Sequence, residues 1–542
     1  MDTFSKLYFP RDRIKALLLL LSVSLVYLPF LNNPLVFDDV PFFGGALRYA
    51  ESYFNLDFRW FPYTSFGVTS VFFGEAPLVF RVQNLLLHGL NVLMLLLVLR
   101  LWITLFIEES AARKMANWGA WLAALVFACH PLAVYGTGYL VQRTIVMATL
   151  FTLLMHLAYF RGLIDGDKRY AVLAVVAYFL AVFSKEHSLL APAILLPMSW
   201  VLREKIKLSN RVLLATWIGF AIIALIVVLR TKGILGVVYE KDAATLLEQD
   251  GMLAGLPSAH LLSVLTQAGL FFKYGLLMLL PNPAWMSVDM RETFITDLMA
   301  WQSWSGIVAY IAYGAGALWC LLRGGRTALF GLALLYPWCL YPVEFSSVRV
   351  QEIFVLYRAY LWLPGLLLLI PLVCSGLSER KIMLVGALSA LVLMPLAWNR
   401  LTVFSDTYLL WDDAVQLLRG EDKSGAHRTY YNRAQASVEK KNWDAAITDY
   451  RKSLTINSSY PEVNVMLGCA LNNAKRFPDA IIEFDKAITM QPSLSRAYYY
   501  KAYALKNMHD SKGAMLMLKK SCELGLKFAC VIEAQNRDSK GR

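Results

Sequence analysis

The chain has 542 residues, of which 58% are hydrophobic and only 17% are charged, and this balance excludes an ordinary soluble globular protein. A formal net charge of +13 would suggest a nucleic-acid partner in a soluble protein, but here the basic residues cluster in short loops between apolar runs. That clustering is the positive-inside pattern, so no nucleic-acid partner is expected. Apolar runs fill residues 14–400 and polar, amphipathic sequence fills 400–542, which predicts a membrane domain followed by a soluble one.

About eleven runs have roughly the length needed to cross the hydrocarbon core of a bilayer. They lie at 14–30, 79–105, 118–136, 143–160, 170–186, 187–202, 212–229, 303–321, 327–343, 359–376 and 382–398. No small-residue cleavage site follows the first run, which predicts an uncleaved span. Basic loops fall at every second connection, so we expect them, the N-terminus included, to be cytoplasmic and the soluble domain to lie on the external side. These loops are Lys6 to Lys15, Arg100 to Lys114, Arg161 to Arg169, Arg203 to Arg211, Arg323 to Arg326 and Arg380-Lys381.

A further apolar run at 261–280 does not fit this alternation. Counting it as a span would put the basic loop Arg323 to Arg326 outside. The run contains Lys273 and ends at Pro281-Asn282-Pro283. We therefore expect an interfacial or re-entrant helix on the external side.

The first external loop, 31–78, follows the first span and contains the adjacent carboxylates Asp38 and Asp39. Long loops without an obvious domain of their own are usually functional. A solvated acidic pair at a helix end is the alternative interpretation. A second long external loop, 230–302, contains the apolar run described above.

Basic residues occupy the other external stretches, 135–143, 184–188 and 344–358. Arg143 ends the first of these, and Lys185 lies beside Glu186 and His187 in the second. Ionisable groups at membrane depth line a cavity or pair with each other. A Lys185–Glu186 pair that holds a hairpin is the structural alternative.

Carboxylates and cations in an external cavity at membrane level suit group transfer from a lipid phosphate. Cations would hold the phosphate and stabilise it as a leaving group, and a carboxylate would deprotonate an acceptor hydroxyl. A transporter would instead need matched, broken helices in two halves of the chain. The sequence shows no such internal repeat.

The soluble part, 427–528, repeats with a period of 34 residues. Three sets of positions follow this step: Ala434, Gly468 and Ala502; Ala446, Ala480 and Ala514; Tyr450, Phe484 and Leu518. The pattern predicts three tetratricopeptide repeats (TPRs), each of two helices that cross closely at the small residues. Such an array binds a peptide or protein, or acts as a structural or oligomerisation module.

The remaining C-terminal sequence comprises a linker at 401–426 and a tail at 529–542, whose polar end from Ala534 to Arg542 is expected to be disordered. The cysteines show no zinc-binding spacing. Cys522 and Cys530 can form a disulfide if the compartment is oxidising, and the sequence leaves this open.

Several motifs in order resemble those of TMTC-type protein O-mannosyltransferases and their bacterial relatives, which are GT-C glycosyltransferases with C-terminal TPRs. They are Phe37-Asp38-Asp39, Arg59-Trp60-Phe61-Pro62, Asn84 to Asn91, Phe127 to Pro131 with Gln142-Arg143, Phe183 to Glu186, Leu279 to Pro281 with Ser287 to Asp289, and Tyr357 to Leu361, followed by a link centred on Trp411. Each motif alone is weak, but their order is kept over nearly the whole chain.

The resemblance implies an all-α fold, with a polytopic GT-C membrane domain at 1–400 followed by a TPR α-solenoid. The implied donor is a polyprenyl- or dolichyl-phosphate-linked sugar, and the implied general base or acceptor-orienting group is Asp38 or Asp39. The residues implied to hold the donor phosphate are Arg143, Lys185 and Arg358, with Lys273 and Arg59 as weaker candidates. Possible supporting residues are Glu186, His187, Glu352 and His130, although His130, His88, Asn84 and Asn91 also fit helix packing.

The chain departs from the family pattern at two acidic positions. Tyr135 stands where relatives carry an acid after the His-Pro motif, and Leu356 and Tyr357 stand where an acid precedes the matched arginine. Glu352 is the nearest alternative acid. These differences leave the sugar undefined.

The sequence thus predicts a glycosyltransferase that modifies a protein hydroxyl on the external face, in a bacterial inner membrane with a periplasmic TPR domain. Its expected partners are the lipid-linked donor, an acceptor protein that is secreted or pilus-type, and membrane lipids. One alternative keeps this enzyme class but has an envelope glycan or lipid as acceptor, and another is a non-enzymatic TPR scaffold. No cofactor beyond the donor is assigned, and a metal requirement stays open.

Overall fold

A computed structural model describes residues 10–46, 58–231, 233, 236–237, 256–350, 352–421 and 423–538. Over these residues the chain is helical and has no β-strand, which confirms the all-α prediction for them. Parts of the predicted loops 31–78 and 230–302 and the end of the predicted tail lie outside the described residues. The chain divides into two compact units, Met1–Val288 with Thr293–Asp406, and Asp289–Glu292 with Thr407–Arg542.

The described part of the first unit contains fifteen α-helices of six residues or more, which we number along the chain. They are α1 Pro10–Tyr27, α2 Trp60–Phe73, α3 Pro77–Phe106, α4 Ser110–Cys129, α5 Pro131–Thr137, α6 Arg143–Asp165, α7 Lys168–Ser184, α8 Leu195–Val201, α9 Asn210–Thr231, α10 Leu256–Leu279, α11 Trp301–Leu322, α12 Gly325–Leu340, α13 Ala359–Leu366, α14 Leu369–Cys374 and α15 Glu379–Val403. Short helical turns join them at Leu28–Phe30, Asp39–Pro41, Phe42–Ala46, Leu140–Gln142, Glu186–Ser188, Ala191–Ile194, Arg203–Lys205, Pro283–Trp285, Tyr341–Ser346 and Leu356–Arg358.

Nine helices in the described residues are long and apolar enough to cross a membrane, or ten if the pair α4 and α5, bent by 60°, forms one span. The predicted span at 187–202 is wrong as a single helix, because this stretch forms two short turns and the seven-residue α8. Pro192 and Pro197 remove two backbone donors there, which interrupts a regular helix. The run at 170–186 forms α7, whose 17 residues fall short of a full span by length.

Helix α10 covers the run at 261–280 that was expected to be interfacial. Its segment Ala259–Leu279 is long and apolar enough to cross a membrane by length and composition. Its interfacial position therefore stays a prediction.

Ion pairs join several of the loops that were predicted to be cytoplasmic. Lys114 pairs with Glu379 at 2.8 Å, Arg326 with Glu109 at 3.0 Å and Lys205 with Glu108 at 3.4 Å. The fold thus gathers these connections on one side of the unit. All three pairs are substantially exposed, so each contributes little stability by itself.

The second unit consists of helix pairs at the predicted period. Its helices are α16 Thr407–Gln416, α17 Ala426–Glu439, α18 Trp443–Ile456, α19 Pro461–Asn473, α20 Phe477–Met490, α21 Ser495–Asn507, α22 Ser511–Glu523 and α23 Lys527–Asp538. The small residues Ala434, Ala480 and Ala502 are buried, because the paired helices approach closely there. Gly468 shows how tight this approach is, since an added Cβ would lie 2.5 Å from a ring carbon of Phe484.

The ends of this unit differ from the sequence prediction. Residues of the expected tail up to Asp538 belong to α23, and the expected linker at 401–426 contains the end of α15 and all of α16. Cys522 and Cys530 form a disulfide that joins α22 to α23. The tail was expected to be disordered because it is polar, but part of it packs as a final helix on the array.

Substituting Gly468→Ala is expected to destabilise the second unit by about 1–3 kcal/mol, because the new methyl group overlaps Phe484 and overpacking costs this much. Thermal unfolding of the full chain in detergent measures the change. The same substitution should cost clearly less in a Phe484→Leu background, where the ring is absent. An equal cost in both backgrounds would contradict the close contact of α19 with α20.

Candidate functional site

Residues 138–143, which we call the central turn, connect α5 to α6. They include one turn of 3-10 helix, Leu140–Gln142, and α6 begins at Arg143. Contacts of consecutive residues in this turn reach the acidic pair on one side and Lys185 on the other. The central turn therefore brings together candidate residues that are about a hundred and more positions apart in the sequence.

Asp39 is fully buried and anchors the first external loop to the central turn. Its Oδ1 accepts the backbone N–H of Val141 at 2.8 Å, and its Oδ2 accepts that of Leu140 at 3.2 Å. Burial raises the pKa of the Asp39 carboxyl to about 7, against the opposing effects of these hydrogen bonds and of the nearby charge of Arg81. Both carboxylate oxygens are used by the protein, so Asp39 has a positioning geometry.

Asp38 is exposed, in contrast to its neighbour. Its backbone N–H donates to the Tyr139 hydroxyl at 3.1 Å, which fixes the residue beside the central turn. The Asp38 carboxylate is open to an incoming hydroxyl, whereas both Asp39 oxygens already accept backbone N–H groups. The sequence left the roles within the pair open, and this difference in burial favours Asp38 as the reactive group.

Arg81 fastens the same loop through its guanidinium. It donates to the carbonyl oxygens of Gly138 at 2.9 Å, Asn33 at 2.8 Å and Pro34 at 2.7 Å. The sequence motifs did not indicate this residue. A charge within the apolar α3 was the available signal, because such a charge requires polar partners.

Lys185 is almost completely buried, with 2% of its surface exposed. Its Nζ lies 3.5 Å from Gln142 Oε1 and 4.9 Å from the centre of the Tyr357 ring. In the described part of the chain no carboxylate forms an ion pair with it. A buried ammonium with only neutral direct contacts is costly.

Glu186 is paired with Arg59, and the alternative of a Lys185–Glu186 ion pair is wrong. The Arg59 Nη2 lies 2.5 Å from Glu186 Oε1, and Nε donates to Oε2 at 3.1 Å. This bidentate geometry satisfies the Glu186 carboxylate through the planar guanidinium. It leaves Lys185 outside the pair.

Glu344, which the sequence motifs did not indicate, lies at the centre of a buried group of charges that includes the predicted residues His187 and Arg358. Its carboxylate accepts from Arg358 Nη1 and from His187 Nε2 at 2.9 Å, and Arg349 Nε lies 3.7 Å away. Arg358 also lies 3.5 Å from Glu352, whose side chain is 54% exposed. An acidic residue within an otherwise apolar stretch was the signal that could have revealed Glu344.

Arg143 lies among neutral groups. Its guanidinium donates to Asn84 Oδ1 at 2.8 Å, Ser65 Oγ at 3.1 Å and the Phe80 carbonyl at 3.2 Å, and it lies 3.9 Å from the centre of the Phe66 ring. None of these contacts is to Lys185 or to the charges around Glu344. The geometry gives Arg143 a packing role, and its predicted contact with the donor stays a prediction.

The remaining predicted residues make contacts typical of helix packing. His130 Nδ1 accepts the N–H of Leu132 at the start of α5, and His88 Nδ1 lies 2.7 Å from the Tyr360 hydroxyl. Lys273 lies 5.2 Å from the centre of the Phe354 ring. These contacts of His130, His88 and Lys273 are with residues outside the central turn.

Tyr135, which stands where relatives carry an acid, also packs within the fold, since its hydroxyl donates to the Met286 carbonyl. Among the described residues, no group of three or more His, Cys, Asp or Glu side chains is placed to hold a metal ion. The candidate site is thus described by its charged groups, namely the exposed Asp38, the buried Lys185 and the charges around them.

Part of the C-terminal sequence matches a known family model. The family model of the tetratricopeptide repeat matches residues 427–460, which confirms the TPR prediction for that repeat. No curated protein matches the chain.

Among solved structures, the chain is similar to the crystal structure of MamA, with 23% identity, a TM-score of 0.20, and coverage of 22% of this chain and 71% of that one. It is also similar to the crystal structure of YrrB, a TPR protein with an unusual peptide-binding site, with 16% identity, a TM-score of 0.23, and coverage of 30% and 87%.

The pH dependence of stability provides a test of the Asp39 geometry. Its pKa is about 7 in the folded chain against 3.8 ordinarily, so between these values the folded state keeps a proton that the unfolded state releases. Folding stability relative to an Asp39→Asn variant should therefore fall as pH rises from about 4 to 7 and level off above that. Thermal unfolding midpoints of both proteins across this range measure the difference, and a difference that rises with pH would contradict the burial of Asp39.

Proposed function

We propose that the protein is a membrane glycosyltransferase that moves a sugar from a polyprenyl-phosphate-linked donor to a hydroxyl of an acceptor protein. One observation carries the proposal. The central turn contacts an exposed carboxylate, Asp38, through Tyr139, and a buried ammonium without a carboxylate partner, Lys185, through Gln142. A base and an anion-binding cation held by one turn suit transfer from a phosphate.

Lys185 supplies the argument for a phosphate ligand. Burying an ammonium costs several kcal/mol unless an anion compensates for the lost hydration. Burial has the largest effect of all, lowering the Lys185 pKa. Arg59 and Arg358 lie within electrostatic range and add repulsion, which the carboxylates of Glu186 and Glu352 offset in part. A phosphate bound at Lys185 would remove both penalties, because lysine binds phosphate as a point charge.

The reaction assigns one role to each side of the turn. Asp38 accepts the proton of the acceptor hydroxyl, and the hydroxyl oxygen forms a bond to the anomeric carbon of the sugar. The bond from that carbon to the phosphate oxygen breaks, and polyprenyl phosphate leaves with the electron pair. Lys185 stabilises the negative charge of the leaving phosphate.

The apolar helices of the first unit support a bilayer location. Leu225 on α9, Val308 on α11 and Leu391 on α15 are exposed large apolar side chains, and their helices are long and apolar enough to span. Such surfaces are stable in lipid and costly in water. We place the protein in a bacterial inner membrane, with the site and the TPR unit on the periplasmic side.

The TPR unit supports a protein acceptor. TPR arrays stack into a continuous surface that suits extended binding partners. We assign to this unit the recognition of the acceptor protein, which is secreted or pilus-type. The sugar is not specified by these contacts.

Asp38→Asn is expected to lower transfer by at least about a hundredfold, because it removes the base while keeping the shape of the side chain. Asp39→Asn is the matched control and should act mainly through stability, since Asp39 is buried against the central turn. Transfer of labelled sugar to an acceptor protein measures both variants. Wild-type transfer by a folded Asp38→Asn variant would exclude the assigned base.

Lys185→Met is expected to weaken binding of polyprenyl phosphate by about tenfold or more and to raise the unfolding midpoint, because it removes a buried charge. Lys185→Arg should retain more of the binding. Lys205→Met, at a loop predicted to be cytoplasmic, is the matched control and should leave binding unchanged. A Lys185→Met variant that binds as well as wild type would contradict the phosphate site.

A further inference from the structure

Three basic side chains lie within ion-pair distance of the Glu344 carboxylate. It is fully buried, it accepts from Arg358 and His187, and Arg349 lies within ion-pair distance. Arg349 and Arg358 lie within 14 residues of Glu344 in the sequence, whereas His187 is 157 residues away. One carboxylate therefore joins the turn Glu186–Ser188 to the region around Arg349 and Arg358.

The contact with His187 bears directly on Lys185, which is two residues earlier. His187 is held by Glu344, and the intervening Glu186 is held by Arg59. Two successive side chains are thus fastened to different partners, and this fixes the backbone that carries Lys185. The Lys185 ammonium is placed without a direct carboxylate contact of its own.

Glu344 also offsets the repulsion between basic groups. Arg358 lies within electrostatic range of Lys185, and like charges at such distances in a poorly solvated region repel strongly. A carboxylate between Arg358, Arg349 and His187 allows these groups to lie close together. Its two oxygens face the protein, so Glu344 does not contact a ligand directly.

We propose that Glu344 is the positioning residue of the donor-phosphate site: it sets Arg358 directly and Lys185 through His187. This inference rests on the proposed function and deepens it, because it states what holds the phosphate-binding cations in place. Removing the Glu344 charge would weaken the hold on His187 and leave the repulsion between Arg349, Arg358 and Lys185 without compensation. The donor site would lose affinity while the acceptor side, at Asp38, would keep its geometry.

The test compares Glu344→Gln and Glu344→Asp with wild type in the full-length protein. The glutamine variant keeps the shape but not the charge, and the aspartate variant keeps the charge on a shorter side chain. Polyprenyl phosphate in detergent micelles is the probe for affinity. The KM values for donor and for acceptor protein are measured below the unfolding midpoints of all variants.

We expect Glu344→Gln to weaken polyprenyl phosphate binding and to raise the donor KM by about tenfold or more, with the acceptor KM unchanged. Glu344→Asp should recover part of the affinity. Glu379→Gln is the matched control, because it breaks an ion pair with Lys114 among the loops predicted to be cytoplasmic, and it should change neither value.

The outcomes separate the two proposals. If wild type binds polyprenyl phosphate and Glu344→Gln binds it equally well, the positioning role is wrong and the proposed function stands. If Glu344→Gln raises both KM values together, Glu344 acts on the whole fold and the positioning role is again wrong. If wild type does not bind the probe, the proposed function and the inference both fail.

Discussion

Two backbone N–H groups, those of Leu140 and Val141, donate to the buried carboxylate of Asp39, and the candidate site depends on this contact. It fixes the first external loop against the central turn, and Arg81 reinforces it through three carbonyl oxygens. The exposed Asp38 takes its place from this arrangement. The same turn contacts Lys185 through Gln142, so the base and the cation share one support.

Beyond the central turn, carboxylates are paired with basic side chains. Glu344 binds basic partners in a fully buried setting, where losing one partner is far more costly than at a surface. Glu186 binds Arg59 in a partly exposed pair. Lys185 stands beside these groups without a carboxylate of its own. Arg143 is also buried among neutral groups, but its guanidinium donates to three protein oxygens. Among the described residues the Lys185 ammonium has one contact of this kind, at 3.5 Å, which is consistent with a site for an anionic ligand.

The sequence predicted the features that follow from periodicity. The step of 34 residues located the close crossing of Gly468 and Phe484, and the apolar runs located most of the long helices. It failed at 187–202, where hydrophobicity alone suggested a span and two prolines interrupt the helix. Its expectation of a disordered tail failed because amphipathic sequence packed on the array as α23.

The candidate site was predictable only in part. Asp38, Asp39 and Lys185 were found from their positions in loops, but the division between Asp38 and Asp39 depends on burial, which adjacent residues in sequence do not reveal. Glu344 and Arg81 were missed because their partners lie far away in the chain. The pairing of Glu186 with Arg59 was missed for the same reason.

The central claim is that Lys185 binds the phosphate of a polyprenyl-phosphate donor. A cryo-electron microscopy map of the full-length protein with bound polyprenyl phosphate tests it most directly. We predict phosphate density about 2.7–2.9 Å from Lys185 Nζ, the usual distance of a charge-assisted hydrogen bond. A phosphate bound elsewhere, or Lys185 paired with a protein carboxylate in that complex, would contradict the claim.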